Sequence, residues 1–286
     1  MKPSRTIVTY LQVAPLTLIL FVFLGIPLLT VIAVSFFTYA KYQVYADFTL
    51  INYIDVFESK LTYQLYASML KFGIIVWLLT LLIGFAVAYF LVFHVRSILW
   101  KMALFLLCTV PFWTSNIIRM ISWIPVLGLE GLVNRSLMAV GIIDAPLAWL
   151  LFSDFSVIVA YVHLFALFMI VPLFNSMARI NPALIEAAED AGASRWQVIT
   201  QVVAPLSKTG IALGSIFVVA LVMGDFFVVK VMSGGRSASV AFAMWNEIAM
   251  LQYPSAAASA VILLIIVTLM VAAILRIVDV RKELSG

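Results

Sequence analysis

The chain has 286 residues, of which 65% are hydrophobic and only 10% are charged, and its mean hydropathy is +1.17. This composition excludes a soluble globular protein and indicates a polytopic membrane protein. The formal charge of +4 comes from basic residues dispersed at the ends of apolar runs, a membrane-orientation pattern that argues against a nucleic-acid partner. No polar block is long enough to fold as a soluble domain, so we expect one transmembrane domain over residues 1–286.

Six apolar runs have the length of a membrane-spanning helix. The first follows Lys2 and Arg5 and is too long for the apolar part of a cleaved signal peptide, so we expect it to remain as a span. The sequence therefore predicts an all-α membrane protein with six transmembrane helices. These are expected at approximately residues 10–37, 66–93, 102–124, 153–178, 208–230 and 255–277.

The distribution of charge predicts the orientation of the six spans. With an even number of spans, both termini lie on the same side of the membrane. That side holds ten basic and five acidic residues, whereas the opposite side and the spans hold seven basic and eight acidic residues. Because lysine and arginine accumulate on the cytoplasmic side, we expect cytoplasmic N- and C-termini. The polar loop of residues 179–207, between the fourth and fifth spans, is then cytoplasmic as well.

Three segments on the opposite side have features of their own. Residues 38–62 are rich in tyrosine, which favours an interfacial aromatic belt. Residues 125–152 contain glycine and proline around a short apolar piece, which predicts a short helix at the outer face. Residues 231–254 include an apolar stretch that is too short to cross the membrane comfortably, so we expect a re-entrant or interfacial helix there.

The polar loop has the sequence pattern of a helix, a turn and a second helix. Asn181 is a good N-cap, and Pro182 suits the first helical position. Gly192 can adopt the left-handed conformation that ends a helix. Ser194 and Gln197 have the spacing of a capping box that opens the second helix. A charged segment with well-defined helix caps, placed between two apolar runs, indicates a surface that another protein binds.

The same loop resembles the signature loop of permease subunits of bacterial binding-protein-dependent ABC importers. The matching residues are Glu186, Ala187, Ala188, Gly192, Ile199 and Pro205. Ala204 stands where the family usually has leucine before the proline. The resemblance implies a type I ABC importer permease fold in which this loop forms coupling helices that dock into a groove of an ATPase. It assigns ATPase coupling to Glu186, Ala187, Ala188, Asp190, Gly192, Ser194, Arg195 and Pro205. The alternative is an ordinary amphipathic helix pair at the membrane surface.

The chain lacks the sequence features of ATP hydrolysis and of covalent catalysis. No Gly-x-x-x-x-Gly-Lys-Ser/Thr run is present, so we expect ATP and Mg²⁺ on separate subunits and no cofactor on this chain. His94 and His163 are far apart and have no acidic or thiol neighbours at ligand spacing, so we expect no metal site and no catalytic residue. The single Cys108 excludes an intrachain disulfide.

Charged residues inside the apolar segments indicate a second site, because charge within a membrane is costly and is usually paired or functional. Lys71, Arg119 and Asp225 lie in predicted spans, and Glu247 lies in the re-entrant stretch. One interpretation is a lining for a polar, amine-bearing solute, with tryptophans in cation–π contact. The other is internal pairing of Asp225 with Arg119 or Lys230, with the tryptophans in packing roles. The candidate solute-pathway residues are Asp225, Trp113, Arg119, Trp245, Asn246 and Glu247.

The motifs around these charges resemble the first of the two permease subunits of spermidine/putrescine-type importers. These motifs are Pro111–Ser115, Ile118-Arg119, Gly224–Phe226 and Gly234-Gly235. The resemblance implies a multi-pass protein of the bacterial inner membrane that moves a polyamine, an opine or a similar amine-bearing compound inward. It also implies the partners, which are a second homologous permease, two ATPase subunits, a periplasmic solute-binding protein and membrane lipid.

An ion-gradient-driven secondary transporter of a small solute is the alternative function. Such a transporter is expected to show paired broken helices in two related halves, and the sequence shows no internal repeat. A membrane-embedded enzyme would need clustered His, Asp and Glu residues or a nucleophile with a base, and the sequence has no such cluster. We therefore expect a permease subunit and no enzymatic activity on this chain.

Overall fold

The absence of water from the membrane core dictates the helical fold, because each backbone N–H and C=O group there must be satisfied within its own segment. The computed structural model describes residues 5–40 and 43–277, except for the side chains of residues 5–9, 11 and 277. Its helices are α1 (Arg5–Leu20), α2 (Ile26–Val34), α3 (Ile51–Glu58), α4 (Lys60–Tyr89), α5 (Ile98–Thr109), α6 (Asn116–Ile121), α7 (Trp123–Leu127), α8 (Leu132–Ala139), α9 (Asp154–Met177), α10 (Pro182–Asp190), α11 (Arg195–Gln197), α12 (Ala204–Leu206), α13 (Lys208–Gly224), α14 (Phe227–Met232), α15 (Val240–Ala249) and α16 (Tyr253–Ile277). Short π or 3₁₀ turns lie at Phe21–Gly25, Phe90–His94, Val110–Trp113 and Val198–Val203, and the strands are β1 (Thr38–Ala40) and β2 (Gln43–Tyr45).

Five helical segments of the described chain are long and apolar enough to cross a membrane, and a bent pair makes up to six. The five are Gln12–Val34, Lys60–His94, Asn116–Ala139, Asp154–Met177 and Tyr253–Arg276. The bent pair is Arg195–Leu206 with Lys208–Gly224, at an angle of 72°. The all-α membrane fold predicted from the sequence is therefore confirmed. The orientation of the termini stays a prediction, and the charges at Lys2, Asp279, Arg281, Lys282 and Glu283 that contribute to it lie outside the described residues.

Two of the predicted spans differ from the observed helices because the chain breaks within them. In the region predicted as one span over 102–124, α5 ends at Thr109, a 3₁₀ turn carries Pro111, and Thr114 is extended before α6 begins. Proline lacks the N–H that an α-helix interior needs, which explains a break at this point. In the region predicted over 208–230, α13 ends at Gly224 and the next residue is extended before α14.

The chain divides into two compact units, and the first comprises residues 1–63 and 243–265. In this unit β1 and β2 pair as a short antiparallel hairpin, which the sequence analysis did not predict. The Asn52 side chain donates hydrogen bonds of 2.9 Å to the carbonyl oxygens of Ser35 and Phe37. These two bonds fix the start of α3 to the segment that leaves α2. The expectation of a single domain over the whole chain stays a prediction.

The second unit comprises residues 64–242 and 266–286, and at its centre α9 packs closely on α13. A Cβ atom at Gly210 would lie 2.6 Å from the Pro172 carbonyl oxygen, and one at Gly214 would lie 2.5 Å from Met169 Sδ. Neither position has room for a side chain, so glycine at both lets the two helix backbones approach. The main hydrophobic core of this unit surrounds the pair.

Polar contacts attach neighbouring segments to this helix pair. Trp77 Nε1 on α4 donates a 2.7 Å hydrogen bond to Ser215 Oγ on α13. At the start of α9, Asp154 forms an ion pair of 2.5 Å with Lys71 of α4. Asp154 also accepts a hydrogen bond from the Ser237 hydroxyl, in the segment that follows α14. Helix α4 is thus bonded to α13 through Trp77 and to α9 through Lys71.

Replacing Gly210 by alanine is expected to destabilise the protein by about 1–3 kcal/mol, since the new Cβ meets backbone atoms of α9 that cannot rotate away. Gly224→Ala is the matched control, because a Cβ there has nothing within 4 Å. Thermal unfolding of the purified complex in detergent measures both. A Gly210→Ala melting temperature equal to that of the control would contradict the close-packing account.

Candidate functional site

The polar loop between α9 and α13 has the local structure that its sequence predicts. Asn181 Oδ1 accepts a 3.1 Å hydrogen bond from the Ala183 N–H at the start of α10. Gly192 has a φ of +85° just after the end of that helix, in the left-handed region. Ser194 and Gln197 form the capping box that begins α11. The caps are therefore confirmed, and the role of the loop in coupling stays a prediction at this point.

One face of the loop packs on the bundle and the other face is exposed. Ile185, Ala188 and Ala193 lie against the hydrophobic core, and Val198 is buried. Ala188, which the family resemblance assigns to coupling, thus contacts the bundle. The other residues assigned to coupling are exposed, namely Glu186, Ala187, Asp190, Gly192, Ser194, Arg195 and Pro205. The loop is therefore attached to the bundle by one face, and its other face is exposed and charged.

Two exposed, large apolar side chains of the loop were not identified from the sequence. Trp196 is 71% exposed and Leu184 is 49% exposed. Large apolar side chains among charged ones are typical anchors of protein interfaces. The sequence carried a signal for Trp196, because it lies directly beside the Ser194 cap in a polar loop and not in an apolar run.

Asp225 lies at the break between α13 and α14, beside an open cavity. Its Oδ1 accepts a 2.9 Å hydrogen bond from the Val228 N–H and a 3.3 Å bond from the Tyr161 hydroxyl. Tyr161 is only 1% exposed, so the carboxylate is held by one buried side chain and one backbone donor. The cavity has a volume of about 490 Å³, and Asn116, Gly224 and Asp225 contribute to its lining. The site therefore combines a fixed negative group with free space.

Arg119 is buried next to this cavity and forms no ion pair with Asp225 in the described structure. Its guanidinium donates a hydrogen bond to Asn116 Oδ1 and lies over the Phe112 ring, 4.6 Å from the ring centroid. The side chain is 6% exposed, and its Nε and Nη1 have no hydrogen-bond partner among the described residues. Direct neutralisation of Asp225 by Arg119, one of the two pairings considered from the sequence, is therefore not observed.

The other candidate pathway residues have different surroundings. Trp113 is the last residue of the 3₁₀ turn and is 80% exposed. Trp245, Asn246 and Glu247 belong to α15, in the part of that helix assigned to the first unit. Glu247 Oε1 accepts a 3.0 Å hydrogen bond from Ser255 Oγ, and burial raises the pKa of this carboxyl while the bond from Ser255 lowers it. The structure therefore places Asp225, but not these residues, in the cavity lining.

A third tryptophan, Trp123, lies four residues after Arg119 and is hydrogen-bonded within the protein. Trp123 Nε1 donates a 3.0 Å hydrogen bond to His163 Nδ1, and the two rings meet edge to face with centroids 5.7 Å apart. The packing role is therefore the one that the structure supports for Trp123. Among residues 5–40 and 43–277, no group of three His, Cys, Asp or Glu side chains is arranged to hold a metal ion.

A helical membrane bundle with two capped, exposed helices between its spans has the architecture of a membrane transport component. The chain belongs to the family described as "Binding-protein-dependent transport system inner membrane component", which matches residues 96–283. It is therefore a multi-pass inner-membrane permease of the ABC importer class. This membership supports the importer over the ion-gradient-driven alternative.

Similar proteins bear out this assignment. The spermidine/putrescine transport system permease protein PotB of Escherichia coli (strain K12) is 35% identical over 224 residues, covering 77% of this chain and 78% of the relative. PotB of Salmonella typhimurium (strain LT2) is 34% identical over 221 residues, covering 77% and 75%. A chain in the crystal structure of a bacterial alginate ABC transporter in complex with a periplasmic protein has a TM-score of 0.74 at 18% identity, covering 94% of this chain and 93% of that chain, which shows a shared fold.

Proposed function

We propose that this chain moves a small, amine-bearing organic solute, a polyamine, opine or similar compound, into the cytoplasm. ATP and Mg²⁺ bind to separate ATPase subunits, and hydrolysis there drives the movement. The loop between α9 and α13 supports the proposed coupling to the ATPase, because one of its faces packs on the bundle and the other is exposed. In this proposal both termini and the loop lie on the cytoplasmic side, where the ATPase is.

The loop suits transmission of force because its two ends continue into the central helix pair. Helix α9 ends at Met177, five residues before Pro182, and α13 begins directly after the bend at Ser207. Ile185 and Val198 fix the loop to the bundle. A partner that binds the exposed face of the loop and moves it therefore also moves α9 and α13. Trp196 and Leu184 provide apolar anchors, and Glu186 provides a charge for basic groups of the partner.

Replacing Glu186 by lysine is expected to uncouple or release the ATPase while leaving membrane insertion intact, because the charge reverses on an exposed face that makes no core contact. Co-purification of the ATPase and solute uptake in proteoliposomes measure the effect. The matched control is Glu130→Lys, another exposed glutamate of the same unit, whose ion pair with Arg135 is also exposed. Normal ATPase binding and uptake in Glu186→Lys would refute the assignment.

The solute class is proposed from the chemistry around Asp225. Its carboxylate is held on one side by Tyr161 and the Val228 N–H, and it lines an open cavity on the other. A carboxylate in an apolar segment attracts a cation, and Asn116 adds a polar group to the same lining. A Cβ at Gly224 would meet nothing within 4 Å, so the approach to the carboxylate is open. The names of the relatives, spermidine/putrescine permeases, support an amine as the solute.

Asp225→Asn is expected to lower amine uptake roughly ten- to hundredfold, which corresponds to the loss of a charged hydrogen bond of about 1.5–3 kcal/mol. Asparagine still offers an oxygen to the Val228 N–H and to Tyr161, so the local structure is retained and only the charge is lost. Uptake and basal ATP hydrolysis of the reconstituted complex are measured together.

The matched control for this variant is Asp154→Asn, which removes a carboxylate that Lys71 and Ser237 engage outside the cavity. Unchanged uptake by Asp225→Asn, or dissociation of the complex, would overturn the role of Asp225 in the pathway. High-affinity binding of an anionic solute by the partner binding protein would defeat the amine assignment independently.

We infer that the chain works with a second, homologous permease, two ATPase subunits and a periplasmic binding protein. One chain offers one loop to one ATPase, and a closed assembly of paired ATPases needs a second loop. Purification of the tagged chain from native membranes is expected to recover a different permease of the same family in equal amount. An active complex that contains this permease type alone would exclude the heteromeric arrangement.

A further inference from the structure

A second cavity lies on the same side of the central helix pair as the Asp225 cavity. It has a volume of about 720 Å³ and adjoins the polar loop. Its polar lining residues are Asn175, Ser176, Arg179, Asn181 and Thr209, and its apolar lining residues include Leu213 and Phe217. None of its lining residues is acidic, whereas Asp225 lines the first cavity.

The two cavities follow one another along the same helix faces. On α13, the lining residues of the second cavity end at Phe217, and those of the first begin at Ala220 and continue to Gly224. The steps between Leu213, Phe217, Ala220 and Gly224 are three or four residues, which is the spacing of one helix face. On α9, the first cavity reaches Phe165 and the second begins at Val171. The cavities are therefore successive parts of one groove.

An aromatic pair occupies the level between the cavities. Phe168 of α9 and Phe217 of α13 have ring centroids 6.3 Å apart. The Phe168 ring also meets the Phe112 ring edge to face, with centroids 5.2 Å apart. The Arg119 guanidinium lies over the Phe112 ring, 4.6 Å from its centroid. The pair is thus in contact with a further ring, and a buried cation lies over that ring. Apolar constrictions of this kind block polar solutes by excluding water.

We propose that this groove is a solute path in two compartments, closed by the Phe168–Phe217 pair, in which Asp225 holds the ammonium group and the second cavity releases it. The inference rests on the proposed function, because it assumes an amine as the solute. The second compartment retains the ammonium group less strongly than the first, because its lining has no carboxylate. An ammonium group leaves a compartment with a carboxylate and enters one with an arginine and only neutral polar groups.

The path is tested by cysteine labelling in the complete complex, reconstituted in vesicles without ATP. The background carries Cys108→Ser, and single cysteines replace Leu213 in the second cavity or Ala220 in the first. A membrane-impermeant maleimide is added on the side of the polar loop. The Leu213 position is expected to react and the Ala220 position to be protected. Phe217→Ala is expected to abolish that protection, because it removes one half of the aromatic pair.

Two further variants test whether the protection depends on apolar bulk at Phe217. Phe217→Leu retains apolar bulk and is expected to preserve most of the protection. Phe155→Ala is the matched control, since it removes an aromatic ring from the same helix α9 whose partner is Trp149 and which lines neither cavity. Phe217 is 48% exposed, so its truncation leaves the buried core in place.

Equal labelling of the Ala220 position with and without the Phe217 side chain would overturn the inference, and so would protection of the Leu213 position. Labelling needs no solute, so this result is independent of the solute assignment. If the labelling pattern is as expected and the complex takes up no amine, the proposed function fails while the two-compartment path stands. If amine uptake is normal and the pattern is absent, only the path fails.

Discussion

The close approach of α9 and α13 is the constraint on which the rest of the second unit depends. Gly210 and Gly214 leave no space for side chains, so the two backbones approach closely at this turn of α13. The loop that joins these helices therefore has both ends in one closely packed body. Its capped helices add a fixed surface to that body, and the core contacts of Ile185 and Val198 keep the surface in place.

The same helix pair has two faces with different tasks. One face is covered by the hydrophobic core, and α4 is tied to the pair through Trp77 and Lys71. The other face is left open, with Asp225 near one end and Arg179 at the other. Because the buried face fixes the geometry, the open face can carry polar and charged groups without disturbing the fold. In the proposed function, stability and solute chemistry are thus divided between the two sides of the same two helices.

The features that the sequence predicted are those that depend on neighbouring residues. The caps at Asn181 and Ser194 and the turn at Gly192 are short-range, so their residue types suffice to identify them. The apolar runs likewise indicated helices of spanning length. The break beside Asp225 was less visible, because a single glycine is compatible with both a continuous and an interrupted helix.

The aromatic pair and the grouping around Asp225 were not predictable from the sequence. Phe168 and Phe217 are two phenylalanines among 21, and only the packing of α9 on α13 brings their rings together. Tyr161 similarly lies 64 residues from the carboxylate to which it donates. Pairings of this range are set by the three-dimensional fold.

The buried guanidinium of Arg119 also has a consequence for the synthesis of the protein. An arginine costs about 2.5–3.5 kcal/mol to insert at the centre of a transmembrane helix, and Arg119 lies in the first turn of its candidate span. The segment that contains it, Asn116–Ala139, is the least apolar of the candidate spans. Two groups that contact the charge, the Phe112 ring and the Asn116 amide, precede it in the chain. They emerge from the ribosome first, so the charge can be sheltered before α9 has been made.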